Sequence, residues 1–369
     1  MLRFLTAGES HGPCLTAVIE GMPAGLSVDE NAINRDLARR QSGYGRGERM
    51  RIEHDQVEIL GGVLSGRTTG APVALRVSNR DWENWRDRWS AGDMPRLTVP
   101  RPGHADYAGM TKYRLDDARP VLERASARET AARVAVGALA KQLLAVFDIA
   151  LGSYTCEIGG IIASVPDLAF AELVGIAEGN DLRCPDEIAA GRMRSAIDAA
   201  RQAGDTVGGV FAVVTSGVRP GLGSYVHWDR RLDARLAAAV MSIPAVKGVE
   251  IGPAFENARR RGTEVHDELF PDEMSGVART TNRAGGLEGG VTNGASLCVR
   301  AAMKPIPTTL NPLRSVDLQT GEAAATQYQR SDVCVVPAGS VVGEAMVAWV
   351  LADAVVEKLG GDSLAEMTR

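Results

Sequence analysis

The chain has little lysine, few aromatic residues and only five scattered cysteines, and each shortage narrows what it can be. Cys14, Cys156, Cys184, Cys298 and Cys334 are odd in number and contain no Cys-x-x-Cys pair, which argues against a disulfide framework or a zinc site; no metal ligand is expected. No stretch reaches the roughly 18 apolar residues of a membrane span, and the first residues lack the zones of a secretory signal, so the expectation is a cytoplasmic protein without a membrane partner. A formal net charge of -5 argues against a general nucleic-acid binder. With 45% hydrophobic and 24% charged residues the composition excludes a disordered or fibrous chain.

Arginine and glycine are abundant instead. Of 41 basic residues only Lys112, Lys141, Lys247, Lys304 and Lys358 are lysine. An arginine-rich genome would give the same bias, but a guanidinium fork also captures carboxylate and phosphate bidentately. Two of the five histidines stand in glycine-bearing turns, Gly8-Glu9-Ser10-His11-Gly12 and Arg101-Pro102-Gly103-His104-Ala105-Asp106. Histidine exchanges a proton near neutrality, and glycine lets backbone close on a ligand, so both turns are candidates for acid-base work.

The 369 residues suffice for one large domain or two ordinary ones. Strands are expected at Leu2–Thr6 and Leu15–Glu20, a helix capped by Asp29 over Asp29–Gln41, and two or three strands within Val57–Val77. The near-3.6 apolar period from Val121 to Phe147 predicts one long buried helix, and Ser340–Leu359, apolar except for Glu344, Asp353 and Glu357, predicts an interior one. Trp82, Trp85 and Trp89 fit one helical face within Asn79–Pro102, read as a lid or subunit contact. A Gly-x-x-x-Gly-Leu turn at Gly21–Leu26 echoes one at Gly217–Leu222, each followed by an arginine-bearing helix, which suggests two related halves about a pseudo-twofold axis.

Further segments carry chemistry. Arg39–Arg49 is a glycine loop after a helix, not a dinucleotide fingerprint; Arg40, Arg46 and Arg49 on a mobile loop could bind a polyanion, or simply be solvated. Burying Arg124 and Arg128 in the core helix would require anionic partners, from within the protein or from a ligand. The glycine-rich stretch Thr281–Gly294 could line a flat or anionic ligand, and Arg330-Ser331-Asp332 could hold a carboxylate base at a pocket floor.

Taken in order, Gly8–Gly12, Arg39–Gly47, Arg101–Asp106, Arg124–Thr130, Val265–Glu268, Thr281–Gly294, Lys304–Thr308 and Arg330–Pro337 resemble the signature blocks of the chorismate synthase family, over essentially the whole chain. The resemblance implies a lyase that converts 5-enolpyruvylshikimate 3-phosphate to chorismate and phosphate by 1,4-anti-elimination, with reduced FMN and no net redox change. By that likeness His11 is the general acid beside the leaving phosphate, His104 helps fix flavin protonation, and Asp332 with Ser10 assists proton removal from flavin N5. Arg40, Arg46, Arg49, Arg101, Arg128 and Arg330 would contact substrate anions. Arg124, Ala125, Ser126, Pro244, Ala245, Gly289, Lys304, Pro305, Ile306, Pro307, Thr308 and Arg330 would border FMN.

The implied fold is an α/β sandwich, central helices between two antiparallel sheets, in a homotetramer. It would form a single domain over 1–369 with related halves at about 1–150 and 186–369. An external flavin reductase is expected; NADPH would enter only as a source of reducing equivalents, at Arg40 and Arg46 if bound directly. Gly339 and Gly343 stand where the family pattern commonly has alanine, and Thr309–Leu313 is shorter than its usual loop. His54, His227 and His266 are expected to be structural. Rival readings are a flavin-independent enzyme of the enolpyruvyl transferase type, and an arginine-rich RNA-binding protein, against which the acidic balance argues.

Overall fold

A computed structural model describes residues 1–47, 53–273, 276–327 and 331–369. Arg3–Ala7 (β1) and Cys14–Glu20 (β2) pair antiparallel, and Glu30–Gln41 (α1) follows, with the Asp29 carboxylate accepting the Asn31 N–H at its N-cap as expected. Val57–Gly61 (β3) and Val73–Ser78 (β4) complete a four-stranded sheet in the order β1-β2-β4-β3. A small hairpin, Val63–Leu64 with Arg67–Thr68, separates them, so Val57–Val77 holds more strands than expected.

Thr130–Ala145 (α2) leads to Ala150–Ile158 (β5), Gly209–Ser216 (β6), Leu232–Met241 (α3), Val246–Ile251 (β7), Cys298–Met303 (β8) and Val336–Leu359 (α4). The second sheet runs β5-β6-β8-β7, with the two-residue strand Ile161–Ile162 added beyond β5. Strand order and helix placement thus repeat between the sheets. The second unit begins with β5 at Ala150, well before 186. Both Gly-x-x-x-Gly-Leu turns follow corresponding strands, β2 and β6, with all four glycines at positive φ.

The inward faces explain the layering. Leu15, Ala17 and Ile19 of β2 and Val73, Leu75 and Val77 of β4 are buried at every second residue, as a strand covered on one face requires. They meet α2, while β5 and β6 pack on α4, so the helices lie between the sheets. On the outer face of the second sheet the helix Phe170–Glu178 covers Tyr154, Ala212 and Val214; the first sheet has Leu5 and Val18 exposed there. α4 is long and apolar enough to cross a membrane, yet 94% of its apolar window is buried inside the protein. It starts at Val336, four residues before the expected Ser340.

α2 and α4 cross closely: a Cβ on Gly137 would sit 2.3 Å from Ala345 Cβ. The two alanine-to-glycine departures have the same origin. A Cβ at Gly339 would meet Met303 Sδ at 2.3 Å, and one at Gly343 would meet Phe211 at 2.5 Å.

The long helix expected from Val121 to Phe147 is broken. It runs Arg119–Arg124, opens at Ala125–Ser126, turns through Ala127–Glu129 and resumes as α2. Ser126 is extended and its hydroxyl accepts the Arg128 N–H, a cap that periodicity cannot reveal because the apolar pattern continues across it. The break matters for the site.

Candidate active site

The first histidine turn joins β1 to β2. A Cβ on Gly8, at φ +109°, would lie 2.4 Å from Cys14 O, so the turn requires glycine. Because the helix stops at Arg124, Glu123 faces this turn. The Ser10 N–H donates to Glu123 O (3.1 Å), the His11 N–H to Glu123 Oε2 (2.8 Å), and His11 Nδ1 lies 3.0 Å from both carboxylate oxygens. Burial opposes ionisation of Glu123, but hydrogen bonds and charge from His11, with Arg119, outweigh it and hold the carboxyl below its usual range. Trp85 packs against the imidazole at 4.5 Å between ring centroids, tilted 48°. The tryptophan segment is a 3₁₀ turn, Arg80–Asn84, and a short helix, Arg86–Ala91, and Trp85 faces the histidine rather than only its fellow tryptophans. Ser126 Oγ donates to Ser10 Oγ at 3.1 Å, which joins the break to the turn.

The second turn is held by Asp106. Its carboxylate accepts Arg101 N–H (3.0 Å) and Nε (2.8 Å) and lies 2.5 Å from His104 Nδ1. Burial works against its charge, but bonds from His104 and Arg101 place its pKa far below the carboxylate range. Arg101 Nη1 donates to Thr308 Oγ1 (3.2 Å), Lys304 Nζ to Gly103 O (2.8 Å), Lys304 N to Ala245 O (2.9 Å), and Ser331 Oγ to Thr308 O (2.8 Å). Arg101–Asp106, Pro244–Ala245 and Lys304–Thr308 therefore form one neighbourhood. Burial, and then the neighbouring Lys247, lowers the Lys304 pKa. A small cavity lined by Arg96, Arg101, Asp106, Leu122 and Gln327 puts Leu122, the residue before Glu123, against the second cluster.

The arginines divide. Arg40 Nη2 donates to Asp55 Oδ2 (2.8 Å) and Arg128 Nη1 to both Asp55 oxygens (2.6 and 2.7 Å), while Arg128 Nε takes Asn79 Oδ1 (2.8 Å). Both are buried. Burial lowers the Arg40 pKa to about 10 despite Asp55, with Arg128 and Arg46 adding repulsion. The anionic partners of Arg128 are therefore internal, Asp55 at hydrogen-bond distance and Glu53 at 3.7 Å. Arg124, expected to be buried, is exposed and donates to Thr6 O and Oγ1 (2.9 and 2.7 Å). Arg46 pairs with Asp332 Oδ2 (2.9 Å), and Asp332 Oδ1 accepts the Gly47 N–H at 2.5 Å. With Val333 N–H donating to Gly45 O, the glycine loop is tied down as far as Gly47 rather than loose. Asp332 is thus engaged with Arg46, and Ser10 with Ser126. Arg49 and Arg330 lie outside the described residues.

Gly289 lies elsewhere. It sits in the Leu287–Thr292 hairpin beside Tyr225, and Gly290 O accepts the N–H of Leu232 at the start of α3, whereas Ala245 follows the other end of that helix. Ten helical residues are about 15 Å, which separates the hairpin end of α3 from the end that carries Ala245. The carboxylate of Asp267 accepts N–H groups of Arg283 and Ala284 and so fixes the glycine-rich stretch, while His266 only ends a short helix.

Sequence reasoning missed Glu123, Asp55, Asn79 and Arg119 as parts of the site, and it read Trp85 as a lid or subunit contact without assigning it to His11. Only a charged Glu123 inside an apolar helical period hinted at one of them.

The chain matches the family model described as "Chorismate synthase" over residues 2–356. It is 55% identical to the chorismate synthase of Geobacter sulfurreducens over 381 aligned positions, covering all of this chain and 97% of that protein, and 56% identical to that of Desulforamulus reducens, covering 96% of it. A solved structure, "Crystal Structure of Chorismate Synthase", superposes with a TM-score of 0.81 at 45% identity, covering all of this chain and 95% of that one. The chain belongs to the chorismate synthase family.

Proposed function

We propose that this chain converts 5-enolpyruvylshikimate 3-phosphate to chorismate and inorganic phosphate, with His11 as the acid that protonates the departing phosphate. The observation that carries the assignment is the pinned imidazole: Glu123 occupies Nδ1, so Nε2 is the atom left to serve the substrate. Arg46, Arg49, Arg101 and Arg330 contact the substrate's carboxylates and phosphate. Arg40 and Arg128 contribute positive potential from beneath; direct contact would mean taking them from Asp55, so an NADP site at Arg40 and Arg46 is disfavoured.

Lys304 Nζ donates to Gly103 O beside the His104 cluster and, as an ammonium with three donors, can also reach a phosphate, so the donor set fits FMN. Arg124–Ser126, Pro244–Ala245 and Lys304–Thr308 would hold it, and Gly289 would border it. Reduced FMN supplies the electron density that assists phosphate loss when bound. His104, Asp332 and Ser10 serve proton traffic at that side, Asp332 from its pair with Arg46 and Ser10 from its bond with Ser126. We further propose a single domain of two related halves, a homotetramer in the cytoplasm, and reduction of the flavin by an external reductase, with NADPH as the ultimate electron source. Exposed Tyr225, Val226 and Trp228 supply apolar surface for assembly.

The test is anaerobic turnover with and without dithionite-reduced FMN, following chorismate absorbance and phosphate release together. Product only with reduced flavin, and a loss of about 10²–10⁴-fold in His11→Ala, is expected. Phosphate release indifferent to flavin would favour the enolpyruvyl transferase type of enzyme instead.

A further inference from the structure

We infer that Glu123 is a positioning residue for the elimination: it fixes His11 as the Nδ1–H tautomer and aims Nε2 at the leaving phosphate. The inference rests on the general-acid role proposed for His11.

Three features of the geometry lead to it. The carboxylate grips the same residue twice, through the His11 backbone N–H at 2.8 Å and through Nδ1 at 3.0 Å, so backbone and ring are fixed together. Its side chain is only 2% exposed and that of His11 16%, so water competes weakly for either group. Trp85 closes on the ring and restricts its rotation. An ionised carboxylate only accepts hydrogen bonds, so Nδ1 must carry the proton in the neutral ring, and Nε2 then gains or loses the working one. During the elimination the C–O bond breaks, its electron pair goes to the phosphate oxygen and the Nε2 proton joins that oxygen, while the C6 proton leaves to a base on the opposite face and the C–H pair completes the diene.

The charged surroundings favour the same reading. Arg119 approaches Glu123 at 3.7 Å and lies 5.9 Å from the Trp85 ring, which dilutes the carboxylate's field without neutralising it at contact distance. Arg124 turns away to Thr6, and Glu9 lies in the same turn against Gly12. His104 differs, because its carboxylate Asp106 already holds Arg101 through two nitrogens of the guanidinium.

The experiment uses the full chain with reduced FMN and 5-enolpyruvylshikimate 3-phosphate under anaerobic conditions. Glu123→Gln retains an acceptor oxygen for the His11 N–H and removes only the charge. Without the carboxylate the Nδ1–H tautomer is no longer imposed, and Nε2 is not held ready to donate. Part of the roughly 10²–10⁴-fold contribution of a general acid is then lost, so kcat should fall about tenfold or more while KM changes little. A second measurement needs no variant: ¹⁵N-histidine spectra of the wild type, with His11 assigned by its loss in His11→Asn, should show neutral His11 protonated at Nδ1. An unchanged kcat in folded Glu123→Gln, or a neutral His11 protonated at Nε2, overturns the role of Glu123. If His11→Ala turns over like wild type, the general-acid reading itself falls, and the two failures remain distinct.

Discussion

Glu344 on α4 is the most deeply buried charge in the helical layer, and removing it should cost more than any surface change. Its carboxylate accepts Arg39 Nη1 and Nη2 (2.9 and 2.7 Å), Lys141 Nζ (2.5 Å), Arg183 Nη2 (3.0 Å) and Ser153 Oγ (2.6 Å). Glu344 is 0% exposed, whereas Arg39 and Lys141 are about one-fifth exposed. Asp36 and Glu178 share the same cations, so the loss would be partly screened and partly taken up. Breaking a buried pair from one side costs about 3–5 kcal/mol, and the lower half of that range is expected for Glu344→Ala. At about 2.1 cal/mol/K of unfolding entropy per residue, a chain this long would melt some 4–5 °C lower.

Burial alone would raise the Glu344 pKa, but Lys141, Arg39 and Arg183 hold it far below the carboxylate range. A lowered folded pKa gives stability that is present above the unfolded value and is lost as pH falls through the folded one. The gap between wild type and variant should therefore be full at pH 7 and narrow steadily below about pH 4.3. Urea unfolding at fixed protein concentration, at pH 7 and pH 4, measures both. A loss under 1 kcal/mol at pH 7, or a gap that widens in acid, would refute the reasoning.

Three other outcomes are expected. Gly137→Ala, which would gain about 1 kcal/mol in an open helix, should instead destabilise by about 1–3 kcal/mol because its Cβ would overlap Ala345; urea midpoints decide the sign. Asp55→Asn removes the carboxylate that Arg40 and Arg128 share, leaving Arg128 with the longer 3.7 Å pair to Glu53, and should cost about 3 kcal/mol at pH 7. Burial opposes the Asp55 charge, but both arginines lower its pKa, so the wild-type advantage should shrink as pH drops below the usual carboxylate range, as unfolding curves at two pH values will show. Lys304→Met should weaken FMN binding about tenfold or more, read from quenching of flavin fluorescence, since a hydrogen bond to a charged group is worth about 1.5–3 kcal/mol.

Local order was legible in the sequence wherever it depends on near neighbours. Asp29 as a cap, the alternation in β2, the interior character of α4, the need for Gly8 and the two histidine turns all follow from short-range sterics and periodicity. The chain also announced its repeated turn, because glycines at positive φ leave a mark in sequence. What only the tertiary structure decided are the partners. Nothing around position 123 says that its carboxylate will meet His11, 112 residues away, or that Asp55 will stand between Arg40 and Arg128, because such pairs are fixed by how the layers stack. The helix break at Ser126 belongs to the same class: its apolar period is unbroken, and it ends where it does because Ser126 caps a new turn and reaches Ser10. Spacing along the chain encodes elements; burial across it chooses which charges must find one another.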